Sequence, residues 1–415
     1  MRGSAPRTVA EPYTAENPEL PRPVRNERMA PKARKSKYAE AGVDVKKRGI
    51  EVFKGTVENL FPNAFCVVVR DPFSPDHGLV THTDGAGSKP VQSYLNWRET
   101  GDTAWFRGLA QDVLAMNLDD IICVGAEPVN FVDYVALNPF KVPKVELLRE
   151  LNSGFRECLQ TLRDHGVRVI FSGGETADQP DQVRTLDVSG TINGRVELTS
   201  VLSGERIKPG NLIIGLRSGG KTKYETRENS GIMCNGLTLA RLCLISREYQ
   251  ARYPEISAEE RGYYGKYGPN DYLDELGMTV GEALTSPTRL YAPVVAKIME
   301  EYRPYVTGLI HNTGGGQTKC LRVGRNIHYV KDDLPDVDPI FMLIQRESGE
   351  EWRAMYENYN MGVGFEVVAE KEAAEDILSV PERFNLEAKI IGRCERNMGP
   401  NKVTVRSPLG KFQYP

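Results

Sequence analysis

The sequence predicts an α+β protein made of two similar-sized mixed α/β halves. Three observations lead there. The chain has 415 residues, more than the roughly 250–300 at which a single hydrophobic core stops growing. Strand-like and helix-like segments alternate from Tyr38 to Pro209. The cluster Lys208-Pro209-Gly210-Asn211 then reads as a turn, after which the alternation starts afresh. The expected organisation is an amino-terminal tail over 1–37, a first domain over 38–208 and a second over 209–415.

Residues 1–37 hold six prolines and nine Lys/Arg against four Asp/Glu. With almost nothing apolar to bury, such a segment cannot offset the entropy of ordering, so a disordered tail is expected. A start at Met29 is an equal reading. Phe65–Val69 and Leu79–Thr83 read as strands from their β-branched content, and Thr103–Leu118 as a helix from Trp105, Leu109, Val113 and Met116. Val129–Leu137 is a strand. Pro143 suits the first turn of a helix running to Asp164 and closed by Gly166, with a strand at Val167–Phe171 beyond. In the second half the pattern gives a strand at Leu212–Leu216, a helix from Leu237 and a polar Tyr-rich loop at Tyr263–Tyr272. A helix after Pro293 and strands at Thr307–Ile310, Val363–Val368 and Ala388–Ile391 complete it.

Forty per cent hydrophobic residues, 26% charged and a net charge of −3 describe an ordinary soluble protein. No basic excess points to nucleic acid, and no apolar run approaches the roughly 18 residues of a membrane helix. Seven cysteines lie scattered with no C-x-x-C pair, which suits a reducing, cytoplasmic setting better than a zinc or disulfide framework.

Thr83-Asp84-Gly85-Ala86-Gly87-Ser88-Lys89 leaves a strand as an acid, small residues and a cation. That arrangement lets Asp84 hold Mg²⁺ while Gly85 and Lys89 approach phosphate oxygens. A plain turn in which Asp84 caps its own backbone is the competing reading. Asp119-Asp120 follow the predicted helix end, where carboxylates oppose the helix dipole and a nearby cation would compensate; solvated surface acids are the alternative. Gly173-Gly174-Glu175 again places glycines and an acid at a strand end, where a ligand can approach the backbone.

Gly215-Leu216-Arg217-Ser218-Gly219-Gly220-Lys221-Thr222 matches the P-loop pattern. A P-loop needs a helix opening at its Lys-Thr, and Lys223–Ser230 has no apolar face, so a charged loop is expected instead. Asn235 reads as an N-cap for the helix from Leu237. Thr313-Gly314-Gly315-Gly316 offers a backbone nest for a phosphate or marks a tight turn. His311 beside it is as readily structural as ligand-binding.

In this order the segments resemble aminoimidazole ribonucleotide synthetase (phosphoribosylformylglycinamidine cyclo-ligase) over residues 38–395. The carrying residues are Ala41–Asp44, Thr83–Gly85 with Lys89, Ala115-Met116 with Asp119-Asp120, Gly125–Pro128 with Asp133-Tyr134, and Gly173–Ala177. Asn235-Gly236, Pro287–Tyr291, Thr313–Gly316 and Gly362–Gly364 follow. Selenophosphate synthetase, thiamine monophosphate kinase and the preceding amidotransferase share the superfamily. The reactive Cys of the first is missing from Tyr38–Gly55, and Pro287–Tyr291 with Thr313–Gly316 suits the cyclo-ligase.

The resemblance implies a homodimer with a barrel-like core, ATP near the interface, and Asp84, Asp120 and Glu175 addressing Mg-ATP with Gly85, Gly173 and Gly174. Asp84 and Asp120 would be the metal ligands. Lys54 and Lys89 would contact phosphate, and Asp120, Lys54 and Asn235 would serve catalysis. Thr313, Gly314, Gly315 and His311 are candidates for the substrate. The implied reaction phosphorylates the formyl amide oxygen of formylglycinamidine ribonucleotide, after which the amidine nitrogen closes the imidazole and phosphate leaves. One departure stands out: where the family has His-Ser-Asn-Gly, this chain has Met233-Cys234-Asn235-Gly236, after an inserted polar stretch at Lys221–Ser230. Methionine cannot shuttle a proton, so the inserted loop or His311 replaces the missing imidazole, or cyclisation is impaired and an ATP-binding paralogue remains.

Overall fold

The computed structural model describes residues 36–415 apart from 45, 46, 48 and 54. The tail at 1–35 and Lys54 therefore lie outside the described residues. Ser36 and Lys37, assigned above to the tail, instead start a short helix at Lys37–Glu40, with the Ser36 hydroxyl accepting from the Ala39 N–H.

Two mixed sheets carry the fold. In the first, the strands run in the order Val69–Arg70, His77–Gly85, Leu186–Glu197, Glu127–Leu137, Ile170–Asp178. All pairs are antiparallel except the last, which is parallel. The crossover between those two parallel strands is the Lys144–Asp164 helix, as parallel pairing requires. Leu186–Glu197 shows why this sheet covers helices on one side: Leu186, Val188, Ile192 and Val196 are buried, whereas Asp187, Thr191, Asn193 and Glu197 alternate toward solvent, the period-two pattern of a half-buried strand. On the outer face Thr81, Asn193, Asn130 and Ser172 form a hydrogen-bonded row across four strands.

The second sheet has seven strands, ordered Val306–His311, Val363–Ala369, Leu212–Arg217, Ala388–Arg396, Ile327–Lys331, Lys402–Ser407, Gly410–Tyr414. Ile214, Leu216, Phe365 and Val367 pack with Val294, Ile298, Ile377 and Val380 of the helices Ala292–Tyr302 and Lys371–Arg383. Full burial of each such side chain contributes about 1.5–3 kcal/mol. Neither sheet closes on itself among the described residues.

Several expected boundaries shift. Phe65–Val69 shrinks to a two-residue strand at Val69–Arg70. The Thr103–Leu118 helix splits into a 3₁₀ turn at Thr103–Phe106, capped by Asp102 on the Ala104 N–H, and an α-helix at Gly108–Ile122. Asp119-Asp120 thus lie inside that helix and are buried. The Val167–Phe171 strand begins at Ile170 and runs on to Asp178, through Gly173, Gly174 and Glu175. These three are the interior of an edge strand, not a turn beyond its end. Lys208–Asn211 is a turn, with Gly210 at φ +97° and Asn211 Oδ1 accepting from the Lys208 N–H.

Buried carboxylates join the sequence halves. Asp112 Oδ1 accepts from Lys89 Nζ at 2.6 Å and from the Thr288 N–H at 2.7 Å. Asp119 accepts from the Tyr291 and Ala292 N–H groups, both at 2.9 Å, satisfying the start of the Ala292–Tyr302 helix. Burial pushes the Asp119 carboxyl up to about 7, against the pull of His311 and these two donors.

Candidate active site

The ends of both sheets meet around Asp120. The Ala86–Ser88 turn follows the His77–Gly85 strand and lies on the Cys234-Asn235 segment: a Cβ on Gly87, which has φ +62°, would stand 3.0 Å from the Cys234 carbonyl oxygen. Across from it, Gly314 approaches Asn235, with 3.4 Å from an added Cβ to Asn235 Oδ1. Asn235 does not cap the Leu237–Leu244 helix. Gly236 at φ +76° holds that position, and Asn235 Nδ2 is a buried donor without a partner among the described residues.

Thr313–Gly316 is fixed from below. Asn312 Nδ2 donates to Glu366 Oε1 at 2.6 Å, Lys331 Nζ donates to the same oxygen at 2.5 Å, and Lys331 also reaches the Gln317 carbonyl. Lys331 and Glu366 are fully buried. Above that network Lys319 Nζ donates to Thr313 Oγ1 at 2.9 Å and lies over the Phe65 ring. Burial holds the Lys319 ammonium below the usual lysine range, against the opposing charge of Asp120.

Asp120 is the hub. Its Oδ1 meets His311 Nδ1 at 2.8 Å, its Oδ2 meets His82 Nε2 at 3.3 Å, and the Cys66 thiol donates to its backbone carbonyl at 3.2 Å. Burial alone would raise its carboxyl; Lys319, His311 and His82 overturn that and hold it below the ordinary aspartate range. Burial and the Asp120 charge push the Cys66 thiol up. His311 packs against the rings of Tyr291 and Phe365, and its Nε2 is buried without a partner among the described residues.

Asp84, Asn235, Thr313, Gly314, His311 and Asp120 therefore converge, while Lys89 and Glu175 do not. Lys89 is fully buried beneath the turn, its ammonium held by Asp112 and the Ser286 carbonyl, so it is already engaged where a phosphate contact was expected. Glu175 shares a cross-strand row with Tyr134, Ser189 and Gly85. Three strand spacings, about 14 Å, separate it from Gly85. Asp84 is exposed at the end of its strand, with Oδ1 accepting its neighbour's Gly85 N–H at 2.8 Å; the side chain caps its own backbone without a turn, and a carboxylate still faces solvent. That carboxylate fits Mg²⁺, which takes oxygen ligands and keeps several waters. Asp120 fits it poorly, because both its oxygens face imidazole nitrogens and a thiol adjoins.

Met233 lies in the core with Tyr291 and Phe365. The inserted loop is fastened elsewhere: Glu225 pairs with Arg289, whose guanidinium also donates to the Gly219 and Gly220 carbonyls, and Tyr224 packs on His165 and Phe384. Lys221-Thr222 stand in irregular chain ahead of a turn at Lys223-Tyr224, with no helix behind them, so the P-loop match carries no phosphate site. His82, Cys66 and Lys319 were missed in the sequence. Only Lys319 left a trace there, as a cation three residues past the glycine turn.

The two-sheet fold and the motif ends around Asp120 define an AIR synthase-like protein, and residues 63–196 match the family model "AIR synthase related protein, N-terminal domain". The chain belongs to the phosphoribosylformylglycinamidine cyclo-ligase family, and is thus a ligase of purine biosynthesis. It is 33% identical over 335 residues to the cyclo-ligase of Methanococcus maripaludis strain C7, covering 80% of this chain and 82% of that one. To the cyclo-ligase of Pyrococcus horikoshii it is 34% identical over 333 residues, covering 80% and 83%. The solved structure titled "AaThiL complexed with AMPPCP and TMP" superposes with a TM-score of 0.51 at 14% identity, covering 88% of this chain and 95% of that one; this is likeness of fold. No helix among the described residues is long and apolar enough to cross a membrane.

Proposed function

We propose that the chain closes the imidazole ring of aminoimidazole ribonucleotide from formylglycinamidine ribonucleotide, using ATP and releasing ADP and phosphate in the cytoplasm. The observation that carries this reading is the meeting, around Asp120, of the Asp84 turn, Asn235, the Thr313–Gly315 turn and His311, in a chain of this family. Asp84 would hold the Mg²⁺ of the nucleotide, and that ion supplies neutralisation of phosphate charge. Lys319 and the N–H groups of Gly314 and Gly315 would bind the phosphate-bearing parts of the substrates, since a cation beside a glycine turn stabilises spread oxyanion charge.

His311 takes over the imidazole work that Met233 cannot do. Its Nδ1–H is fixed on Asp120, which leaves Nε2 as an acceptor for the proton lost when the amidine nitrogen attacks. The unpartnered Asn235 Nδ2–H, across from Gly314, can hold the substrate oxygen in place. Seating both ends of the substrate between these groups gives the orientation advantage of an intramolecular closure.

Two copies would pair through the outer face of the first sheet, where Val129 and Tyr134 stay 45% and 38% exposed around the polar row. Glu175, far from Asp84 within one chain, would then address the nucleotide across the pair. Expression of the chain in a bacterial strain lacking this ring-closing step is expected to restore growth without purines. Absence of growth despite soluble expression would count against the reading.

A further inference from the structure

We propose that Cys66, His82 and Asp120 form a binding site for a borderline-soft divalent cation such as Zn²⁺, separate from the Mg²⁺ of the nucleotide. The inference needs only the geometry and stands whether or not the ring-closing reading holds. Cys66 Sγ, a His82 ring nitrogen and an Asp120 oxygen lie within 4.8 Å of one another, and His82 Nε2 is 3.3 Å from Asp120 Oδ2. Tetrahedral zinc with one sulfur at about 2.3 Å and nitrogen and oxygen at about 2.0–2.1 Å spaces its ligands by about 3.3–3.6 Å, so the donors need to close by about 1.3 Å at most. Sulfur, nitrogen and oxygen together are a zinc set, whereas Mg²⁺ takes oxygen alone.

The hydrogen bonds around His82 decide its tautomer. Asn117 Nδ2 donates to the Asp84 carbonyl at 3.1 Å and to the Val113 carbonyl at 2.8 Å, which uses both its hydrogens and leaves Oδ1 as the acceptor facing His82 Nδ1 at 3.1 Å. Nδ1 must therefore carry the hydrogen. The other ring nitrogen, Nε2, faces the Asp120 carboxylate oxygen at 3.3 Å, a separation that a cation between the two would suit. A ring nitrogen tied to an acceptor while the other faces a metal is the usual arrangement of a ligating histidine.

Two further features suit a cation at this position. Asp120 stands in the last turn of the Gly108–Ile122 helix, the negative end of its dipole, where a cation is stabilised. The Cys66 thiol is already turned to that helix end, bonded to the Asp120 carbonyl. A bound cation would displace its proton, as coordination does to thiols generally, and would tie the segment before the first sheet to a strand and a helix at the rim of the active site.

The test uses untagged full-length protein freed of metal by chelation and titrated with Co²⁺. Binding of one equivalent is expected, with a thiolate-to-cobalt charge-transfer band and visible bands of tetrahedral intensity, both abolished by one equivalent of Zn²⁺. Cys66→Ser should remove the charge-transfer band. His82→Gln, at a half-buried side chain whose loss leaves the core intact, should weaken binding by about tenfold or more without moving the melting temperature. No stoichiometric binding, or a cobalt spectrum unchanged in both variants, would overturn the proposal and leave a protonated His82 paired with Asp120.

Discussion

Met233 shares a core cluster with Tyr291 and Phe365, the two rings His311 packs against, yet only His311 carries a basic nitrogen. Its Nδ1 is committed to Asp120 at 2.8 Å, so replacement by glutamine keeps a donor toward that carboxylate while removing the basic nitrogen. His311→Gln is therefore expected to lower kcat by about 10²–10⁴, with ATP affinity and the melting curve little changed. Steady-state kinetics beside calorimetric ATP binding checks this; an unaltered kcat would remove His311 from the chemistry. Asp120 was legible in the sequence as an acid that breaks a helix rule. Its partners were not, because His82, Cys66 and Lys319 reach it from separate elements and no spacing along the chain announces a contact made only by folding.

At the scale of elements, the alternation of strands and helices was readable because burial on one face writes a period into the sequence. Boundaries failed where tertiary contacts overrode that period. The predicted helix over Thr103–Leu118 breaks at Arg107-Gly108, and a Cβ on Gly108 would stand 3.0 Å from Pro287, a residue distant in sequence. Glycines at 173 and 174 suggested a turn, but a Cβ on Gly174 would collide with Asp133 of the neighbouring strand, so close strand packing is what glycine serves there. Lys89 misled for a related reason: a lysine after a glycine turn reads as a phosphate contact, whereas here it heads the Lys89–Thr100 helix and ties it directly to the Ser286 carbonyl and, through Asp112, to Thr288. Removing one partner of a buried pair leaves an uncompensated charge. Lys89→Met should accordingly cost about 3–5 kcal/mol in chemical denaturation, and a loss below about 1 kcal/mol would show that the clamp carries little.

For the whole molecule, neither sheet forms a barrel among the described residues, and the polar outer face of the first sheet is the surface on which a second copy would close one. A bulky charge in the middle of that face, Thr191→Arg, is expected to shift the protein from dimer to monomer in sedimentation velocity and to weaken ATP binding along with it. A wild-type monomer that binds ATP normally would refute both parts. The overall account, that a family member lacking the usual histidine at position 233 still completes the ring, meets its most direct test in a turnover assay. Purified protein given formylglycinamidine ribonucleotide and Mg-ATP should produce aminoimidazole ribonucleotide and ADP in equal amounts, whereas ADP released without the imidazole, or no substrate-dependent ADP, would contradict it.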